Sequence, residues 1–167
     1  IESESKEIYL SAQPMVDPTK VSLAVYGEIQ QTNEVDLYVF RPLADGTVPF
    51  ELWIPAKSSL KNFRPTLYII GKNLPPTTEE TYPIDIPLAL EVTNIPSSTE
   101  KRTPHFDLSG IGMYYKGMPK HIPLTANTVY YLAVADPYGR TGPYAVHFGT
   151  QTEQQEGIEL TAPNIDP

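Results

Sequence analysis

The sequence predicts an all-β chain folded as an antiparallel, jelly-roll-like β-sandwich of about 8–10 strands. Three observations carry that expectation. The chain holds 18 Pro in 167 residues, about double the roughly 5% of an ordinary domain. A helix interior rejects each Pro at a cost of about 3 kcal/mol, which excludes a helical bundle. The prolines punctuate short apolar segments, the pattern of many short strands joined by turns. Within those segments the apolar residues alternate in twos, and no long window repeats every 3.6 residues.

Taken in order, residues 7–12 read as a short edge strand. Residues 21–29 form a strand with Val21, Leu23 and Val25 on one face. In 35–41, Leu37 and Val39 alternate with Tyr38 and Phe40, so both faces are at least half buried. A turn at 43–46, with Gly46 able to take positive φ, leads into a strand at 47–54 and predicts a hairpin. Pro49 and Pro55 bracket Phe50 to Ile54, which points to strand ends or a sheet edge. Residues 66–70 are a β-rich run. Residues 73–124 hold 8 of the 18 prolines and read as long loops, with strands at 88–93 and 111–116 and a helical turn near 124–127. The clearest strand is 128–135. Asp136, Pro137, Tyr138 and Gly139 spell a turn, and 143–148 closes the domain.

The length suits one domain, 8–150, flanked by an acidic tail at 1–7 and an acidic tail or linker at 151–167. The net charge is −8, but the two ends carry −6 of it and the body only −2. A near-neutral body lacks the basic face that displaces counterions from nucleic acid. No apolar run is long enough to span a membrane as a helix. With no Cys, disulfides, thiolate metal sites and Cys nucleophiles are excluded. The chain starts at Ile1 without a signal peptide, which reads as a mature or trimmed form.

Two segments resemble a known family. Asn33-Glu34-Val35-Asp36-Leu37-Tyr38-Val39-Phe40 is similar to the D-V-D-x-Y-x-F strand of bacterial pre-peptidase C-terminal domains. Tyr130-Tyr131-Leu132-Ala133-Val134, followed by Gly142-Pro143-Tyr144-Ala145-Val146, resembles that family's closing hairpin. The proline-rich middle and the greater length depart from the usual module. The resemblance implies a jelly-roll-like sandwich of the kind found on secreted enzymes and surface proteins, similar in shape to clostridial collagen-binding domains. It therefore implies an extracellular, periplasmic or cell-surface setting. It also implies that Asp36 caps its strand, and that acidic residues near the N-terminus can hold calcium.

Candidate sites follow from residue types. Calcium needs six to eight oxygens. Glu34 and Asp36 are the candidate ligands, with Glu2, Glu4, Glu7 and Asp17 able to join them; no other cofactor is expected. Exposed aromatic rings stack on sugars and prolines, so Trp53, Tyr114 and Tyr115, beside Met113 and Lys116, are the candidate ligand-binding residues. Alternation puts Trp53 on the wetter face with Glu51. His147 alternates with Val146 and Phe148 and faces the other way; His105 and His121 read as loop residues. The three histidines show no close ligand spacing. Ser109, in Asp107-Leu108-Ser109-Gly110, lacks a nucleophile elbow, and Glu79-Glu80 reads as a solvated loop. Lys57, Lys61, Phe63 and Arg64 read as a small basic loop cluster. The reading is a noncatalytic exported module that binds, spaces or stabilises a protein or polysaccharide at the cell surface. A carbohydrate- or collagen-type binding module, calcium-assisted, is the alternative; a hydrolase is the second, and needs a His beside a carboxylate.

Overall fold

A computed structural model describes residues 12–75, 77, 82–97, 104–107, 112–149 and 158–161. Two sheets, largely antiparallel, pack face to face as a β-sandwich. The strands are β1 (Gln13–Pro14), β2 (Leu23–Ile29), β3 (Asp36–Phe40), β4 (Gly46–Pro55), β5 (Thr66–Gly71), β6 (Glu91–Pro96), β7 (Pro104–Asp107), β8 (Gly112–Lys116), β9 (Lys120–Leu124), β10 (Tyr130–Ala135), β11 (Gly142–Phe148) and β12 (Ile158–Thr161). That is more than the 8–10 expected, because β1, β7 and β9 lie in segments too short or too proline-rich to read as strands. No helix among the described residues is long and apolar enough to cross a membrane.

The five-stranded sheet runs β1-β3-β10-β5-β6, and the seven-stranded sheet runs β12-β2-β11-β4-β8-β7 with β9 also paired to β4. This order corrects both expected hairpins. β3 and β4 follow each other in sequence but lie in different sheets, as do β10 and β11. Each pair turns apolar residues toward the same core, Phe40 against Phe50 and Tyr130, Leu132 and Val134 opposite Tyr144, Val146 and Phe148. Their connections therefore cross between layers. Asp45 pins one crossing by accepting the Ala126 N–H at 2.7 Å. Asp136 shapes the other: its Oδ1 accepts the Tyr138 N–H at 2.7 Å, its carbonyl accepts Gly139 N–H at 3.0 Å, and Gly139 takes φ 72°.

Pro49 lies inside β4, an interior strand, and not at an edge. Its carbonyl accepts the Gly149 N–H, just past the last β11 residue. A strand residue points its N and C=O to the same side, so the missing N–H falls where the β11 ladder has already ended. The strand expected at 88–93 is displaced to Glu91–Pro96, with a turn at 88–89. Residues 124–127 make a turn in which Asn127 has φ 60°, and no helix. In the expected C-terminal tail, Ile158–Thr161 pairs in parallel with β2. The expected strand at 7–12 lies outside the described residues except for Ala12.

The main core fills the space between the sheets, with stacked Phe40–Tyr130 and Phe50–Phe148 pairs at 5.5 and 5.7 Å. A second apolar cluster lies on the outer face of the five-stranded sheet. There Leu37, Tyr68, Ile70, Tyr131 and Ala133 are covered by Tyr82, Ile84, Ile86 and Leu90 of the segment ahead of β6. β5 and β10 are consequently buried on both faces, which is why they read as continuous apolar runs.

Candidate functional site

The outer face of the seven-stranded sheet carries most of the sequence-derived ligand residues. Alternation along β4 sends Phe50, Leu52 and Ile54 into the core and Glu51 and Trp53 outward. Trp53 nevertheless is only 6% exposed, so the open ring platform expected there is not presented. Its neighbours on both sides close over it. In register, β11 offers Ala145 and β8 offers Lys116. The small Ala145 leaves room for the His147 ring, which stacks on Trp53 at 3.5 Å and 22°. From the other side Lys116 Nζ sits 4.0 Å from the ring centroid, and Tyr114 packs at 5.6 Å. A cation over a Trp face contributes about 0.5–1 kcal/mol at an exposed site.

Tyr115 is also corrected. Its register partner is the core residue Ile54, and its ring turns inward against the main core. Tyr114 shares the outer face with the covered Trp53 but is only half-buried, opposite the exposed His105. Beyond it the β7–β8 hairpin ends the sheet. Phe106 is 61% exposed opposite Met113 at 45%, and Met118 follows at 83%. Sequence reasoning named Met113 but missed Phe106, because Pro104 hides β7. It also missed the Trp53–His147 stack; alternation gives each residue's face but not which strands are neighbours.

His105 and His121 lie on strands and not in loops, and with His147 all three point outward from one sheet. His147 is the cross-strand neighbour of Glu51. No group of three or more His, Asp or Glu suited to a metal occurs among the described residues. Ser109, Glu79 and Glu80 lie outside them. Of the basic cluster, Lys57 and Lys61 are exposed, but Phe63 is a core residue.

Glu34 and Asp36 do meet, at one end of the sandwich. Glu34 Oε2 accepts the backbone N–H of Gln30 at 2.7 Å and Gln31 at 2.8 Å, closing the loop before β3. Tyr144 donates to Asp36 Oδ2 at 2.6 Å, so at the 2.7 Å Tyr38–Tyr144 contact Tyr38 is the donor. Burial pushes the Asp36 carboxyl up; the Tyr144 hydrogen bond opposes this, and the hydrogen bond and charge of Glu34 raise it further, to about 7. Both tyrosine hydroxyls are pushed above the usual range, chiefly by burial. Asp36 therefore holds its proton well above the usual carboxylate range beside Glu34, and the Tyr144 hydroxyl and the Gln30 and Gln31 amides donate to the two side chains. Asp17 is engaged as well. Burial works against its ionisation, but the Thr19 and Leu43 hydrogen bonds outweigh burial and hold it below the usual carboxylate range. Glu2, Glu4 and Glu7 lie outside the described residues. With each of the three carboxyl groups held by protein donors, EDTA is expected to leave the melting temperature unchanged; a fall on chelation, reversed by calcium, contradicts this assignment.

Gly27 makes the relay possible. A Cβ there meets the Tyr144 hydroxyl, and the Tyr38 hydroxyl at 2.9 Å. The Tyr144 hydroxyl cannot swing aside without losing both hydrogen bonds. Gly27→Ala is expected to cost about 1–3 kcal/mol through overpacking, read as a lower denaturant midpoint.

No family model matches the chain and no curated protein matches it, so the resemblance to pre-peptidase C-terminal domains rests on its strand motifs.

Proposed function

We propose that the chain is a noncatalytic, exported β-sandwich module that binds a protein or polysaccharide at or outside the cell surface. The observation that carries this reading is the end of the seven-stranded sheet. The β7–β8 hairpin offers Phe106 and Met113 on one side and Tyr114 and His105 on the other, and the exposed Met118 follows β8 in the chain. Aromatic and Met side chains are the types enriched where partners dock. The exported setting is supported by the strand motifs similar to pre-peptidase C-terminal domains.

In the narrower carbohydrate- or collagen-type version, Tyr114 is the ring that stacks on a sugar or proline. The test is a panel of surface polysaccharides and collagen-type peptides, read by the emission of Trp53, the only Trp, 5.6 Å from Tyr114. A ligand that shifts the emission is expected to lose about tenfold in affinity with Tyr114→Ala or Phe106→Ser. A ligand bound equally well by both variants removes the hairpin from the proposal. The hydrolase reading has one observation behind it, the Glu51–His147 register pair. Turnover of any substrate in the same panel, abolished by Glu51→Gln, decides in its favour.

A further inference from the structure

We propose that a second site, on the opposite sheet, binds a small organic cation of the alkylammonium class. A cleft of about 260 Å³ opens where the outer face of the five-stranded sheet meets the segment that covers it. Tyr68 on β5 and Tyr82 on the covering segment form its aromatic corner, with ring centroids 6.1 Å apart and planes at 86°. Pro83 and Pro137 add apolar wall, and Glu34 and Asp136 add two carboxylates. No Lys or Arg lines it among the described residues. Glu34 is held by the Gln30 and Gln31 amides and by its hydrogen bond with Asp36, and Asp136 by the amides of Tyr138 and Arg64. Such amide donors orient a carboxylate without cancelling its charge.

Each part of the lining selects for the same ligand. A ring face turned to the cleft attracts a cation, and Tyr82 is the more open of the two, since Tyr68 is only 4% exposed. The carboxylates add a negative potential in a partly water-excluded space. The volume admits a trimethylammonium or lysine-type group and is below the range of drug-sized pockets. An anion is repelled, and a neutral apolar molecule of the same shape gains the wall contacts but not the charge.

The test is an NMR titration of the 15N-labelled chain at constant ionic strength. One arm uses choline chloride and the other 3,3-dimethylbutan-1-ol, its neutral carbon isostere. Choline is expected to move the amides of Val35, Tyr82 and Ala135 saturably, with the isostere about tenfold weaker or worse. Tyr82→Leu keeps the apolar contact and removes the π-face. Glu34→Gln keeps an acceptor oxygen for the loop amides and removes the charge. Each is expected to weaken choline at least about fivefold, and the second variant serves if the first does not fold. Equal binding of choline and its isostere overturns the proposal, as does the absence of saturable shifts up to tens of millimolar. A trimethyl-lysine derivative run alongside identifies the source. Tighter binding than choline assigns a side-chain-borne cation and weaker binding a free one, and either order supports the site.

Discussion

Replacing Phe50 by Ala is expected to destabilise the fold by about 3–5 kcal/mol. Phe50 is fully buried in the middle of β4, the strand that pairs with β11 on one side and with β8 and β9 on the other. Its ring stacks on Phe148 within its own sheet at 5.7 Å and reaches Phe40 of the facing sheet at 6.3 Å. Truncation opens a cavity at the joint between the layers, where rigid paired backbones on both sides prevent collapse. In a chain of this size each kcal/mol shifts the melting temperature by about 2–4 °C. A fall of roughly 10 °C or more is the expected reading in a thermal scan. Phe50→Leu, which keeps most of the volume, is expected to cost less than half as much. Equal losses for the two variants contradict the cavity explanation.

The second large effect is a pH dependence carried by Asp36. Its carboxyl is raised to about 7 in the folded chain, against about 3.9 when unfolded. A raised folded value means that the folded state binds the proton more tightly. The stabilisation is therefore complete below about pH 4 and is lost as the pH rises toward 7. Wild-type stability is expected to decline across that window. The carboxyl is partly solvated, so the decline is discounted to about 1–2 kcal/mol, or some 2–8 °C. Asp36→Asn keeps an oxygen for the Tyr144 hydroxyl but cannot ionise, and is expected to flatten this part of the profile. Tyr144→Phe tests the rest of the relay, because it removes the Asp36 donor and strands the Tyr38 hydroxyl. It is expected to cost about 1–3 kcal/mol. A wild-type profile that rises between pH 4 and 7, with Asp36→Asn unchanged, contradicts the raised Asp36 carboxyl.

The sequence by itself determined the fold class and the inward or outward facing of most strand residues. Proline excludes helices through lost hydrogen bonds and steric clash, and alternation follows from the pleat; both are local. Phe50, Leu52 and Ile54 against Glu51 and Trp53, and Tyr130, Leu132 and Val134 on one face, were legible for that reason. The turn at Asp136 was legible too, because Asx and Gly geometry is set within four residues. Only the tertiary structure decided which strands are neighbours. β3 and β4 read as a hairpin because they are adjacent in sequence with a turn between them, yet they face each other across the core. An apolar face is satisfied equally by a hairpin partner's companions or by an opposing layer. Everything that makes a site here hangs on that choice. Trp53 is covered because β11 and β8 flank β4; Tyr115 turns inward with Ile54; Glu34 meets Asp36 beside a tyrosine from the other sheet. Contacts between residues more than a hundred positions apart, such as Asp36 with Tyr144, are fixed by register and layer order, which no local pattern encodes.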